Sequence, residues 1–459
     1  MPDYMPITVF LRPEIWHVAL AQKKCIVLIH KHNNHKGKIS MTTETIKNKG
    51  WTIVIAGLTL NFALGILYTW SVFRDEILRS INQGGEGAFA WDLAALNDPY
   101  ALCILVFAFT MIPAGRLQDL KGPRITALIG GVLVASGFIL ISQTTNYALW
   151  VLGFGVLVGM GIGFGYSSAQ PPAFKWFPAS KTGMIAGIVV SGFGLAPVYT
   201  APLANFLIKS YGIQNAMLIF GIGILVVVST CAIFLFNPPP GYVPVEKNKT
   251  KREAAKPSLE TKSYTTAQML KSPLFRLVWF IFFISAGAGL MVIAKISGLA
   301  TASMGEAAFA AVAIIAVGNA LGRLVAGYLS DKIGRITTLL SVLLFQATLM
   351  FIAIPVTGNN SPAAIIVLLA AFIGFNFGSN LAIFPTFTKI YWGLKNFGFN
   401  YGFVLTAWGV GGLIFPRLSQ TLFASTGSHT TAFLIAGSCL LFCAALTYRL
   451  KISHKKHLA

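Results

Sequence analysis

The chain has 459 residues, 55% of them hydrophobic and only 11% charged, with a formal net charge of +21 and a mean hydropathy of +0.71. Soluble domains carry about a quarter charged residues, so a water-soluble globular protein is excluded. At roughly 20 apolar residues per spanning helix, the length allows about a dozen spans with short connections and no sizeable extramembrane catalytic domain.

Residues 1–50 read as a basic tail. They hold no apolar core followed by a small-residue cleavage site, so no signal peptide is expected. Met41 heads a short polar lead into the first apolar run, and the forty residues before it are read as a dispensable tail or an over-extended start. The His30, His32 and His35 cluster reads as a solvated basic stretch rather than a chelating site.

Apolar runs then follow at approximately 51–72, 96–116, 125–142, 147–171, 182–208, 213–236, 275–301, 306–329, 336–356, 363–387, 398–424 and 431–450. They predict an all-α membrane protein of twelve transmembrane helices in two six-helix bundles, 51–236 and 275–450. The divider, 237–274, opens with Pro238, Pro239, Pro240 and Gly241 and continues through Lys247, Lys249, Lys251, Arg252 and Lys256 without an apolar period, as a central loop should. Residues 451–459 form a second basic tail.

The positive charge follows the even-numbered runs: Lys121, Arg124, Lys175, Lys181, the central loop, Lys332, Arg335, Lys389, Lys395 and Arg449. Loops after odd-numbered runs carry mainly Arg74, Arg79 and Lys209, the first balanced by Asp75, Glu76, Glu86, Asp92 and Asp98. Cytoplasmic loops collect Lys and Arg, so both termini are expected in the cytoplasm, in a multi-pass protein of the plasma or inner membrane. Topology accounts for the basic excess, and nucleic acid is not an expected partner.

Two segments repeat at corresponding places: Gly115, Asp119, Gly122 and Arg124 after the second run, and Gly327, Asp331, Gly334 and Arg335 after the eighth. Pro171, Lys175 and Pro202 recur as Pro385, Lys389 and Pro416 at nearly the same offset. Parallel six-span repeats build one large class of alternating-access carriers; a channel does not require them. The spacing also suggests chemistry for each residue: glycine for a tight turn, and an Asp placed to meet a helix N-terminus or an Arg. Asp119, Arg124, Asp331 and Arg335 are therefore candidate gating residues.

Away from the ends of the runs lie three cations, Lys295, Arg323 and Arg417, and no Asp or Glu. A cation at the centre of a span costs about 2.5–3.5 kcal/mol on insertion scales and normally faces a cavity or a partner. Lys295 either faces a cavity or snorkels to the outer interface, and Arg417 reads as an interfacial anchor. Asn319 stands one turn before Arg323 on the same face. Ring candidates for a cavity are Tyr68, Trp70, Tyr166, Tyr199 and Trp408, with Asn376 and Asn380 as polar candidates. The cysteines in the runs, Cys103, Cys231, Cys439 and Cys443, read as small hydrophobes. No phosphate loop, catalytic triad or metal-ligand spacing occurs, so neither an enzyme nor a cofactor or metal is expected.

The duplicated Gly-x-Leu-x-Asp-x-x-Gly pattern, with Lys332 directly after the Asp in the second copy, resembles the signature Gly-x-Leu-x-Asp-(Arg/Lys)-x-Gly of the major facilitator superfamily. Within it the chain is similar to the oxalate/formate antiporter family, which is related to monocarboxylate transporters. The similar pieces are Gly65–Phe73, Lys175–Pro178, Pro238–Tyr242, Met269–Pro273, Asn319–Arg323 and Asn400–Phe403. The resemblance implies a secondary carrier of small organic anions, acting as a monomer in the lipid bilayer, with cavities lined by spans one, four, seven, eight, ten and eleven. It puts a substrate-binding Arg at Arg323 and ranks Tyr68, Tyr166 and Trp408 first among the rings. This chain departs from the family twice: Asn319 stands where several monocarboxylate transporters have an Asp, and Trp408 where the oxalate transporter has a Lys. The expected substrate-binding set is Arg323, Asn319, Lys295, Tyr68, Tyr166 and Trp408, and the expected substrate a monocarboxylate such as lactate, pyruvate or formate. Oxalate/formate exchange, an anion channel and a carrier-like sensor are the alternatives.

Overall fold

The computed structural model describes residues 47–244, 263–304, 308–358 and 361–456, and the side chains of these residues apart from 294–311, 358 and 453–456. Asn48–Ala459 forms one compact unit; the other unit, Met1–Lys47, lies outside the described residues except for Lys47. No strand occurs among the described residues. In hydrocarbon a backbone must bond within its own segment or close a barrel, and the long apolar runs satisfy this as helices.

The first six helices are α1 (Gly50–Gln83, with a tighter turn at Gly65–Thr69), α2 (Asp98–Lys121), α3 (Pro123–Ser142), α4 (Tyr147–Trp176), α5 (182–211) and α6 (213–234). The second six are α7 (Pro273–Met304), α8 (Ala308–Lys332), α9 (Arg335–Gly358), α10 (Ala363–Trp392), α11 (Phe397–Thr426) and α12 (Thr430–Lys456). Eleven described stretches are long and apolar enough to cross a membrane, one of which runs through Ala179–Phe234. That stretch is two helices, because Gly212 breaks it with φ 80° and ψ 165°, a backbone state that only glycine adopts readily. The twelve expected spans are recovered.

Glycine carries the tightest packing, as in membrane bundles generally. Within the second bundle, Gly318 and Gly322 of α8 lie against the Ala371 and Phe375 carbonyls of α10, and Gly378 of α10 lies against the Asn319 carbonyl. Between the bundles, Gly115 of α2 meets Gly398 of α11, while Gly183 and Gly187 of α5 meet α8 at Gly327 and at the Arg323 carbonyl. Arg323 is thus fixed on a helix clamped from both sides. The two repeated turns are superposable in kind: Gly122 has φ 86° and Gly334 φ 87°.

Candidate functional site: a closed cavity between the bundles

A cavity lies where the two bundles meet. Tyr68 (α1), Phe107 (α2), Tyr166 (α4) and Phe193 (α5) line it from the first bundle, and Arg323 (α8), Leu381 (α10), Leu405 and Trp408 (α11) from the second. Its enclosed space is about 10 Å³, room for about one water, so a larger guest requires the bundles to part.

Arg323 is fully buried. Its Nε donates to Asn319 Oδ1 at 2.9 Å and its Nη1 donates across the bundle interface to the Val190 carbonyl at 2.5 Å. Its Nη2 makes no hydrogen bond of good geometry with any described residue, and no carboxylate among the described residues pairs with it. A guanidinium matches a carboxylate through two parallel N–H bonds, and the atom left over here is one of those donors. The Tyr68 hydroxyl lies beside the Arg323 guanidinium, though it makes no hydrogen bond of good geometry with a described residue. The Trp408 indole N–H, on a side chain 2% exposed, is unpartnered as well. The remaining wall is a chain of rings: Phe107 packs on Trp408 at 5.3 Å and on Tyr166 at 5.5 Å, and Phe193 packs on Tyr166 at 5.6 Å and on Tyr68 at 5.3 Å.

Of the expected substrate-binding residues, four line this cavity and Asn319 orients the guanidinium from one turn away. The side chain of Lys295 lies outside the described residues. Phe107, Phe193, Leu381 and Leu405 were not foreseen; with 35 phenylalanines in the chain, nothing local distinguishes two of them. Asn376 and Asn380 instead stitch α10 to α9, bonding the Val342 carbonyl and Gln346. Tyr199 bonds the Phe62 carbonyl, and Trp70 packs with Trp150 and Phe154. Arg417 is exposed.

At the end of the bundles where the basic residues gather, two carboxylates cross between bundles. Asp119 accepts from the Gly398 and Phe399 amides at 3.1 and 2.9 Å, at the start of α11. Asp331 accepts from the Gly183 and Met184 amides at 2.9 and 2.8 Å, at the start of α5. Each places a negative charge on unsatisfied N–H groups at the positive end of a helix dipole in the opposite bundle. Their arginines differ. Arg335 donates to the Ala179 carbonyl of the first bundle at 3.2 Å and contacts Asp331 at 3.4 Å, whereas Arg124 stacks on Phe236 within its own bundle. The cation reaching from α2 to α11 is Arg116, over the Phe399 ring at 5.5 Å. Lys389, buried at 6% exposure, donates to Thr182 Oγ1 at 2.7 Å and sits 4.9 Å above the Phe174 ring, a further tie between bundles. Its recurrence as the repeat partner of Lys175 was the sequence signal available for it.

These contacts close the basic end, and they suggest a test of their own. Removing the charge in Asp119→Asn or Asp331→Asn weakens an ion–dipole contact of up to about 2 kcal/mol, which displaces the closed state by roughly 5- to 30-fold. The expected result is increased labelling of cysteines introduced at the basic end, with the ranking of competing solutes unchanged. A changed ranking would place the two aspartates in the binding site.

A family model described as Major Facilitator Superfamily matches residues 50–416 and 303–458 of the chain. The oxalate:formate antiporter of Oxalobacter formigenes is 25% identical over 407 residues, covering 86% of this chain and 89% of its own length. Apicoplast pyruvate carrier 1 of Toxoplasma gondii is 24% identical over 504 residues, covering 89% of each. Among solved structures, the Escherichia coli fucose:proton symporter FucP shares the fold, with a TM-score of 0.57 at 15% identity over 86% of this chain and 97% of its own.

Proposed function

From the premise that this chain belongs to the Major Facilitator Superfamily, and is a multi-pass membrane transporter rather than an enzyme, we propose that it is a secondary carrier of small monocarboxylates. The observation that carries this reading is Arg323: a fully buried cation with a free donor atom, facing a cavity walled by rings from both bundles. An uncompensated charge at that depth is costly, and a carboxylate bound to it relieves the cost on both partners. Among the described residues the cavity holds one cation among aromatic walls, which suits one negative charge with an apolar or weakly polar remainder.

Transport proceeds by alternating access. With the basic end closed by Asp119, Asp331 and Lys389, the bundles part at the other end to admit substrate to Arg323. Rocking about the site then breaks the two aspartate contacts and opens the basic end, which by its charge faces the cytoplasm. The bond from Arg323 to the Val190 carbonyl spans the moving interface, so a bound carboxylate that replaces it eases the separation of α8 from α5. Asn319 offers no proton site next to Arg323, which favours exchange of one anion for another over proton-coupled uptake through that position.

Oxalate/formate exchange is the second reading, favoured by the similarity to the antiporter and opposed by Trp408. Counterflow separates the alternatives. Proteoliposomes loaded with unlabelled lactate, pyruvate or formate are expected to accumulate the labelled compound transiently above its external concentration. Passive equilibration without overshoot would instead indicate a channel.

A further inference from the structure

Arg124, expected at the gate, is turned away from it toward Phe236 and lines a recess at the flank of the first bundle. We infer that this recess binds the phosphate headgroup of an anionic phospholipid. The site is separate from the cavity at Arg323 and does not rest on the substrate proposed there.

The recess has a volume of about 350 Å³, within the range of about 300–1,000 Å³ usual for small-molecule sites. Lys121, Gly122 and Arg124 line it from the turn between α2 and α3, and Leu235, Phe236 and Asn237 from the end of α6. The same seam continues inward, where Gly131 of α3 lies against Val228 of α6. Arg124 sits over the Phe236 ring at 5.8 Å. Among the described residues neither Lys121 nor Arg124 meets a carboxylate, and Asp119, the acid nearest in sequence, is engaged by the Gly398 and Phe399 amides. Asn237 adds a neutral donor. An ammonium can only donate, so the 3.1 Å bond from Lys175 Nζ places the Asn237 Oδ1 on that side and leaves Nδ2 toward Gly122.

Two cations and an amide donor around one recess, with no acid among its lining residues, call for an anion with several acceptor oxygens. The surroundings favour a lipid as its source. Leu120, Ile125 and Phe234, each next in sequence to a lining residue, are exposed on membrane-spanning helices, so the recess stands where apolar surface gives way to charge. Basic pockets between membrane helices suit acidic headgroups, and acyl chains can then lie along α3 and α6. The chain beyond Asn237 offers no substitute, since residues 245–262 carry more Lys and Arg than Glu. The corresponding turn of the second bundle differs, because Arg335 is drawn to the Ala179 carbonyl and Asp331. One arginine of the repeat thus serves the gate, and the other is left for a ligand. A phosphate held by Lys121, Arg124 and Asn237 ties the turn between α2 and α3 to α6 and, through Lys175, to α4, the helix that carries Tyr166.

The test uses the full chain, purified in detergent and supplied with phosphatidylglycerol or phosphatidylcholine, with retained lipid read by native mass spectrometry. Each cation near the headgroups gives about a fivefold preference for an acidic lipid, so the unaltered protein should retain phosphatidylglycerol roughly 10- to 30-fold better. Lys121→Gln combined with Arg124→Gln should remove most of that preference, leaving about threefold or less. Lys332→Gln, which removes an exposed charge at the matching turn of the second bundle, should leave it unchanged. Arg124→Lys keeps the charge and should keep most of the preference, which separates lost charge from lost packing on Phe236. Should the double variant fail to fold, Lys121→Gln alone carries the readout, with about a fivefold loss. Equal retention of the two lipids, a preference that survives the double variant, or one that falls as far in Lys332→Gln overturns the site. Displacement of bound phosphatidylglycerol by inorganic phosphate would assign the recess to a soluble anion and overturn the lipid. None of these readouts depends on carboxylate transport, so the carrier reading stands or falls separately.

Discussion

Arg323→Ala should abolish saturable carboxylate binding while the protein still reaches the membrane. Each charge-assisted hydrogen bond is worth about 1.5–3 kcal/mol net, and a bidentate pair makes two, so affinity should fall by roughly 100-fold or more. Arg323→Lys keeps the charge and should recover only a small part. A lysine ammonium lacks the planar fork and cannot keep the Asn319 bond while turning two parallel donors to a carboxylate, as the guanidinium can once the carboxylate displaces the Val190 carbonyl. Binding measured by thermal shift or by counterflow half-saturation checks both variants. Near-normal half-saturation in Arg323→Ala would remove this residue from the site and with it the main support for an anionic substrate.

The second large effect is expected at Trp408. In the unaltered protein a dianion would direct its second carboxylate at an aromatic wall whose polar atoms among the described residues are neutral, and an unpaired charge in such a place is strongly disfavoured. Lactate, pyruvate or formate should therefore outcompete oxalate. Trp408→Lys replaces a buried indole with a second cation and should reverse that order, because repulsion of the wrong substrate is as much a part of selectivity as attraction of the right one. If the unaltered protein prefers oxalate, and Lys295→Ala removes the preference, Lys295 supplies the second charge and the site is dicationic.

The asymmetry of the basic end bears on how the carrier moves. Asp119 and Asp331 make equivalent contacts with helix starts, as their places in the repeat suggest, but their neighbours have diverged. Arg335 joins its aspartate in bridging to the first bundle, while Arg124 remains with Phe236 and Arg116 takes the crossing role. Motif position alone would assign the two arginines the same part. The structure distinguishes them because a cation finds the nearest acceptor or ring, and those neighbours come from segments that the repeat does not constrain.

Properties set along a single segment could be read from the residues alone. The number of spans and their division into halves follow from runs of apolar residues too long for anything but a membrane helix. The basic end follows from counting Lys and Arg in short loops, and the prominence of Arg323 from the cost of a charge at depth with no acid beside it. The glycine turns at Gly122 and Gly334 were legible because their backbone conformation demands the residue. Which face of each helix meets which neighbour emerged only from the folded bundles. A soluble helix declares its inner face by an apolar stripe, but a helix apolar on all sides carries no such stripe, since lipid is as apolar as a packed core. Hence Phe107 and Phe193 could not be separated from the other rings, and Asn376 and Asn380 bond α9 rather than line the cavity. The meeting of Asp119 with α11 and of Asp331 with α5 is likewise a property of two folded bundles placed together, because the partners are backbone amides, which every residue but proline possesses.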